Sequence, residues 1–203
     1  MAETIFYIII GILVFGYILD RILEYLNKTK RNTKLPDELK DIYDAEKYKK
    51  QQEYEKENYR FGWLTESFSF IIMPLMIVFY GFAFVDELVR NWTTHPIWLA
   101  LIFFGILMFA SDIINTPFSL YSTFVIEEKF GFNKTTVKTF ILDKLKGWLL
   151  AIIIGGGLMA LIIWIYLLTP EFFWLIAWGV ITLFMIFMNM FYSSLIVPLF
   201  NKQ

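Results

Sequence analysis

Apolar residues run along this chain in five blocks separated by polar connections. A helix needs about 20 mostly apolar residues to cross the ~30 Å hydrocarbon core of a bilayer. The blocks at about 4–26, 64–88, 97–125, 147–168 and 172–197 approach or meet that length. The pattern predicts an all-α integral membrane protein with five transmembrane helices. The first block contains Asp20 and Arg21, which can snorkel at an interface. The second carries Pro74, tolerable in lipid where neighbouring helices re-satisfy the freed carbonyl. The third extends to about Ile126, a length of ~45 Å at about 1.5 Å per residue, so it should tilt, kink near Pro117 or project beyond the lipid. Only Thr169-Pro170-Glu171 joins the last two blocks, which predicts a tight helical hairpin.

One long polar stretch, 27–62, lies between the first two blocks and is broken once at Leu35-Pro36-Asp37. After the break, pairs such as Glu46 and Lys50 have the spacing that supports a solvated helix. Ten of the 18 Lys and Arg fall between Lys28 and Arg60, and five more in the connection 127–146. The 86–96 connection holds only Arg90, and the last connection has none. Because cytoplasmic loops carry the basic excess, the N-terminus should lie outside, with segments 27–62 and 127–146 and the C-terminal Lys202 in the cytoplasm. Trp92, Trp98, Trp148 and Trp174 fall near block ends, where indoles form interfacial belts. The apolar start has no basic region or small-residue cleavage site before it and reads as a retained span.

Composition reinforces this picture: 58% of residues are hydrophobic and 18% charged, against about 45–50% apolar in soluble domains. The bilayer is thus the first partner, and the pattern gives no reason to expect nucleic acid. No cysteine and one histidine, His95, occur in the sequence. A catalytic zinc needs about three protein ligands, and there is no HExxH, so neither a metal site nor a catalytic set is expected in this chain.

Polar residues inside lipid usually face a protein interior or a hydrated cavity. Asp112, Asn115 or Thr116, Ser119, and Ser122 or Thr123 recur at helical spacing in the third block; Thr182, Asn189 and Ser193 do so in the fifth. Two readings stand: these faces line a hydrated chamber open to the cytoplasm, or they hold a bundle together by interhelical hydrogen bonds. Gly155-Gly156-Gly157 in the fourth block allows close helix packing.

The most specific stretch is "PFSLYSTFVIEEKFGFNKTTVKTFILDKLKG", 117–147. Pro117, Tyr121, Phe124, Ile126, Glu127, Gly131, Phe132, Asn133 and Thr136 follow a P-x-x-x-Y-x-x-F-x-I-E-x-x-x-G-F-N-x-x-T signature, and Asp143, Lys146 and Gly147 a later D-x-x-K-G. Tyr48 and Lys49 match the segment before the second span, and Pro198, Leu199, Phe200, Asn201 and Lys202 an exit segment after the fifth, with Gln203 departing from the usual Phe. In these motifs the chain resembles the membrane domain of metallopeptidase family 48, the membrane zinc proteases typified by the type I CAAX prenyl endopeptidase.

The resemblance implies that 1–203 is the single N-terminal membrane domain of a membrane-bound zinc metalloendopeptidase, part of a helical barrel around an internal chamber. It implies a peptidase domain following residue 203 that supplies HExxH and zinc, a peptide or membrane-protein substrate for the whole protein, and no proteolysis by this chain alone. Under that reading Asp112, Asn115, Ser119, Asn189 and Ser193 line the chamber; Tyr121, Glu127, Gly131, Phe132, Asn133 and Thr136 form a loop near the active site; and Pro198, Phe200, Asn201 and Lys202 lead to the peptidase domain. A bacterial inner membrane is the expected location. The alternative is a free-standing, non-catalytic scaffold or channel-type protein.

Overall fold

The computed structural model describes residues 2–29 and 44–200. Within them the chain is helical apart from short turns, with no strand. The elements are α1 (Ala2–Thr29), α2 (Ala45–Val78), α3 (Gly81–Arg90), α4 (Pro96–Tyr121), a π-helical stretch (Ser122–Glu127), α5 (Glu128–Phe130), α6 (Val137–Leu150), a second π-helical stretch (Ala151–Gly156), α7 (Gly157–Leu168), α8 (Phe173–Leu195) and α9 (Val197–Phe200). The predicted break at Leu35-Pro36-Asp37, and the exit residues Asn201 and Lys202, lie outside the described residues.

Among the described residues, five helical runs are long and apolar enough to cross a membrane: Glu3–Thr29, Ala45–Val78, Pro96–Phe130, Val137–Leu168 and Phe173–Phe200. Their large apolar side chains are mostly turned outward, as with Phe15 at 68% and Leu183 at 69% exposure. In water such a surface would drive aggregation; in lipid it is the solvated surface.

From Ala45 onward, the polar segment and the second span are one helix. Asp44 caps α2, its carboxylate accepting the backbone N–H groups of Glu46 at 2.8 Å and Lys47 at 3.3 Å, and the helix runs through Pro74 to Val78. It ends earlier than the block predicted to reach residue 88. Tyr80 adopts a left-handed conformation, φ 55°, which cannot continue a right-handed helix. Gly81 then passes so close to Met76 that a Cβ there would sit 2.6 Å from its Sδ. A larger residue would have to push the flexible Met76 thioether aside at this turn, from which α3 starts, burying Val85 and Val89. Pro96, with its fixed φ and missing N–H, opens α4, and the preceding His95 carbonyl accepts the Leu99 N–H at 2.9 Å.

The chain divides into two compact units, Met1–Phe84 with Ile113–Asn133, and Val85–Asp112 with Lys134–Gln203. In the first, α1 meets α2 where Tyr17 stacks on Phe70 at 4.1 Å and shares a 2.7 Å hydrogen bond with Ser67. On another face of α2, Phe61 packs against Phe118 and Tyr121, and Phe68 against Phe118. In the second unit, Phe109 packs on Trp148 at 4.5 Å, and Tyr166 meets Phe173 edge to face across the α7–α8 turn. A Cβ on Gly156 would only reach ordinary contact with Leu101, and Gly155 and Gly157 face open space, so the close packing expected at these glycines is not seen among the described residues.

Candidate functional site

The connection predicted over 127–146 is mostly helix. The π-helical stretch carries α4 directly into α5, which stops at Gly131, whose φ of 76° is the left-handed C-cap geometry natural to glycine. The Glu127 carbonyl then accepts the N–H groups of Phe132 at 2.9 Å and Asn133 at 3.3 Å. Asn133 donates from Nδ2 to Glu128 Oε2 at 2.9 Å. Thr136 caps α6, its hydroxyl accepting the Thr139 N–H at 3.2 Å. Gly131, Asn133, Thr136 and the Glu127 backbone therefore act first as the covalent and hydrogen-bonding frame of a sharp reversal.

In the first unit this turn is fastened to the charged half of α2. Tyr54 is held edge to face between Phe130 at 5.3 Å and Phe132 at 4.9 Å, and Lys50 lies over the Phe132 ring. Lys129 donates to Glu57 at 2.6 Å. That hydrogen bond and the ammonium charge hold the Glu57 carboxyl below its ordinary range. Beneath the latch, Phe61, Leu64, Pro117, Phe118, Tyr121 and Ile126 wall an open groove of about 480 Å³, with Glu57 and Arg60 at its polar end. Glu57, Arg60, Phe61 and Leu64 share one face of α2 by their i, i+3, i+4, i+7 spacing.

A second groove in this unit, about 600 Å³, is bordered by Tyr17, Asp20, Arg21, Thr65, Glu66 and Asn115, with apolar residues of α1. Arg21 does not snorkel outward. Its side chain is only 15% exposed, it donates to Glu66, and it lies 5.3 Å from the Tyr17 ring centroid. Nη1 sits 2.7 Å from Glu24 Oε2 as an ion pair without hydrogen-bond alignment. Among the described residues Nε has no hydrogen-bond partner. Sequence reasoning missed this pairing. The signal was available: antiparallel neighbours place Arg21, near the end of the first predicted span, at the depth of Glu66, near the start of the second.

In the second unit Asp112 accepts from Lys144 Nζ at 2.6 Å and from Trp148 Nε1 at 3.0 Å. Trp148, predicted as a belt residue, is thus also a hydrogen-bond donor to an intramembrane carboxylate. Lys146 donates to Asp143 at 3.0 Å and to the Leu199 carbonyl at 2.8 Å, with its ammonium 5.7 Å from the Phe200 ring centroid. The D-x-x-K-G residues therefore tie α6 to the segment containing Pro198 and Phe200. Asn189 donates to the Met185 carbonyl at 2.9 Å and borders a shallow recess with Ser193. Ser119 donates to the Asn115 carbonyl. Among the described residues, no group of three or more His, Cys, Asp or Glu could hold a metal ion, so the residues present do not fit a zinc site.

A sharp helical reversal after a third span, latched to a long second helix, now has counterparts to be compared with. The profile of the CAAX prenyl protease N-terminal family, described as five membrane helices, matches residues 25–202. The chain belongs to this family. It is similar to the CAAX prenyl protease 1 homolog of Arabidopsis thaliana, 32% identical over all of this chain and 50% of that protein. CAAX prenyl protease 1 of Saccharomyces cerevisiae is 31% identical over 84% of this chain and 40% of its own length. The crystal structure of Ste24p from S. mikatae superposes with a TM-score of 0.85 at 29% identity, covering 95% of this chain and 46% of that one. The chain spans half or less of the length of these relatives. Family and fold together make it an integral membrane domain of the CAAX prenyl protease family.

Proposed function

We propose that this chain forms the membrane wall of a zinc metalloendopeptidase of the CAAX prenyl protease kind, admitting substrate to an internal chamber and carrying a peptidase domain on its cytoplasmic side. The observation that carries this reading is the match of 178 consecutive residues, 25–202, to the family's N-terminal domain. In the whole protein the zinc ligands and the general base come from that peptidase domain. No step of the hydrolysis is assigned to residues of this chain.

Within this reading Asn115, Ser119, Asn189 and Ser193 face the chamber, and Asp112 joins them while also holding α6 through Lys144 and Trp148. Tyr121, Glu127, Gly131, Phe132, Asn133 and Thr136 set the reversal that brings the third and fourth spans together beside the active site. Pro198, Phe200, Asn201 and Lys202 form the exit, and the Lys146 bond to the Leu199 carbonyl supports a fixed direction for it. The basic connections support an N-terminus outside and a cytoplasmic C-terminus. The relatives named above are eukaryotic, which argues against the bacterial inner membrane expected from the sequence.

Alanine at Asn115 and Asn189 in the whole protein tests the lining. Peptide cleavage should fall severalfold while thermal unfolding stays close to wild type; unchanged cleavage would remove these residues from the chamber.

A further inference from the structure

The groove between α2 and the end of α4 has an apolar wall and, at its polar end, one arginine without a hydrogen-bonding partner among the described residues. Phe61, Leu64, Phe118, Tyr121 and Ile126 make the wall. Of the two charged residues at its polar end, Glu57 is engaged by Lys129 at 2.6 Å. Arg60 is exposed and makes no hydrogen bond or ion pair among the described residues. Arg60 acts on Glu57 only through its charge, so Glu57, Lys129 and Arg60 together leave the groove mouth with a net positive charge.

Its depth is set by α2 itself. Charged residues are frequent from Glu46 to Arg60, whereas from Phe61 to Val78 the helix carries only Glu66. Trp63 is 51% exposed just past the change, the position where indoles anchor at the headgroup level. Arg60 then sits at headgroup height, with apolar walls on its bilayer side. A guanidinium presents a planar fork of donors that suits phosphate oxygens in a bidentate grip.

We propose that this groove binds one anionic phospholipid, its phosphate on Arg60 and one acyl chain along Phe61, Leu64, Phe118 and Ile126. The occupant is amphiphilic because the site is: a free phosphate leaves the apolar wall uncovered, and a neutral lipid leaves the arginine unmatched. Because the bound lipid would bridge α2 and the α4 end, it reinforces the latch of Tyr54 with Phe130 and Phe132.

The test is native mass spectrometry of the whole purified protein carrying this chain, offered equimolar phosphatidylglycerol and phosphatidylcholine with identical acyl chains. One phosphatidylglycerol should be retained preferentially. Arg60→Gln should cut that preference about tenfold, the scale of one charged hydrogen bond, and Arg60→Lys should keep the larger part. Leu64→Trp, which fills the groove, should reduce retention of both lipids. Since Arg60 lies on an exposed helical face, unfolding temperature without added lipid should not change in its variants. A preference unaltered in Arg60→Gln overturns the proposal, as does a farnesylated peptide binding with the same Arg60 dependence where phosphatidylglycerol does not.

Discussion

Arg21 and Asp112 are both charged residues within apolar runs, yet the protein treats them differently. Asp112 is balanced one to one: one lysine neutralises it, an indole N–H takes a second bond, and Phe109 packs on the indole. Arg21 faces two glutamates, and Glu66 remains 53% exposed at the edge of a groove that also holds Asp20 and Asn115. That cluster carries a negative excess and an Nε that is unbonded among the described residues. A neutral, fully bonded set can sit in a low dielectric, whereas an unbalanced, partly bonded one needs water beside it. The first site is suited to holding helices together and the second to lining a wet surface.

The largest effect should come from breaking the balanced site. Lys144→Met leaves Asp112 without its counter-charge and should destabilise the domain by ~2 kcal/mol, below the ~3–5 kcal/mol of a fully buried pair because Asp112 keeps 36% exposure. Steric-trap unfolding in a bilayer mimic measures it. Adding Asp112→Leu should recover most of the loss, giving a large coupling energy in the double-mutant cycle. At the open site Arg21→Met should cost less, about 1 kcal/mol, since Glu66 can remain hydrated. Equal losses at the two sites would erase the distinction drawn between them.

The smallest effect lies outside the hydrocarbon, at Glu57 and Lys129. The hydrogen bond and charge of Lys129 lower the Glu57 pKa from its ordinary 4.5. A lowered carboxyl contributes fully above the unfolded value and loses its contribution as pH falls through the folded one. Hydrogen exchange at Lys129 and Phe130 should therefore be flat from neutral pH down to about 5 and quicken in excess of the intrinsic rate below about 4. Glu57→Gln should abolish that acid response.

Much of this protein could be read from its sequence because its strongest signals are local. A run of apolar residues of bilayer length is a spanning helix on energetic grounds alone, and the signature from Pro117 to Thr136 sits in one segment. Gly131 at a left-handed cap and Thr136 at an N-cap are choices the local backbone demands. What was hidden depends on partners far along the chain. Arg21 and Glu66 are 45 residues apart and Asp112 and Trp148 are 36 apart, so snorkelling and belt rules, which treat each helix alone, misplace Arg21 and undervalue Trp148. The end of α2 at Tyr80 was equally illegible, because apolar composition continues straight through a turn imposed by one backbone conformation.

We propose that this chain is the membrane part of a zinc endopeptidase whose zinc ligands and general base lie in a separate peptidase domain. Zinc content and cleavage of a prenylated CAAX peptide, measured side by side on residues 1–203 and on the whole protein that carries them, test it most directly. One zinc and chelator-sensitive cleavage are expected for the whole protein, and neither for residues 1–203. Stoichiometric tight zinc or cleavage by residues 1–203 alone would contradict it.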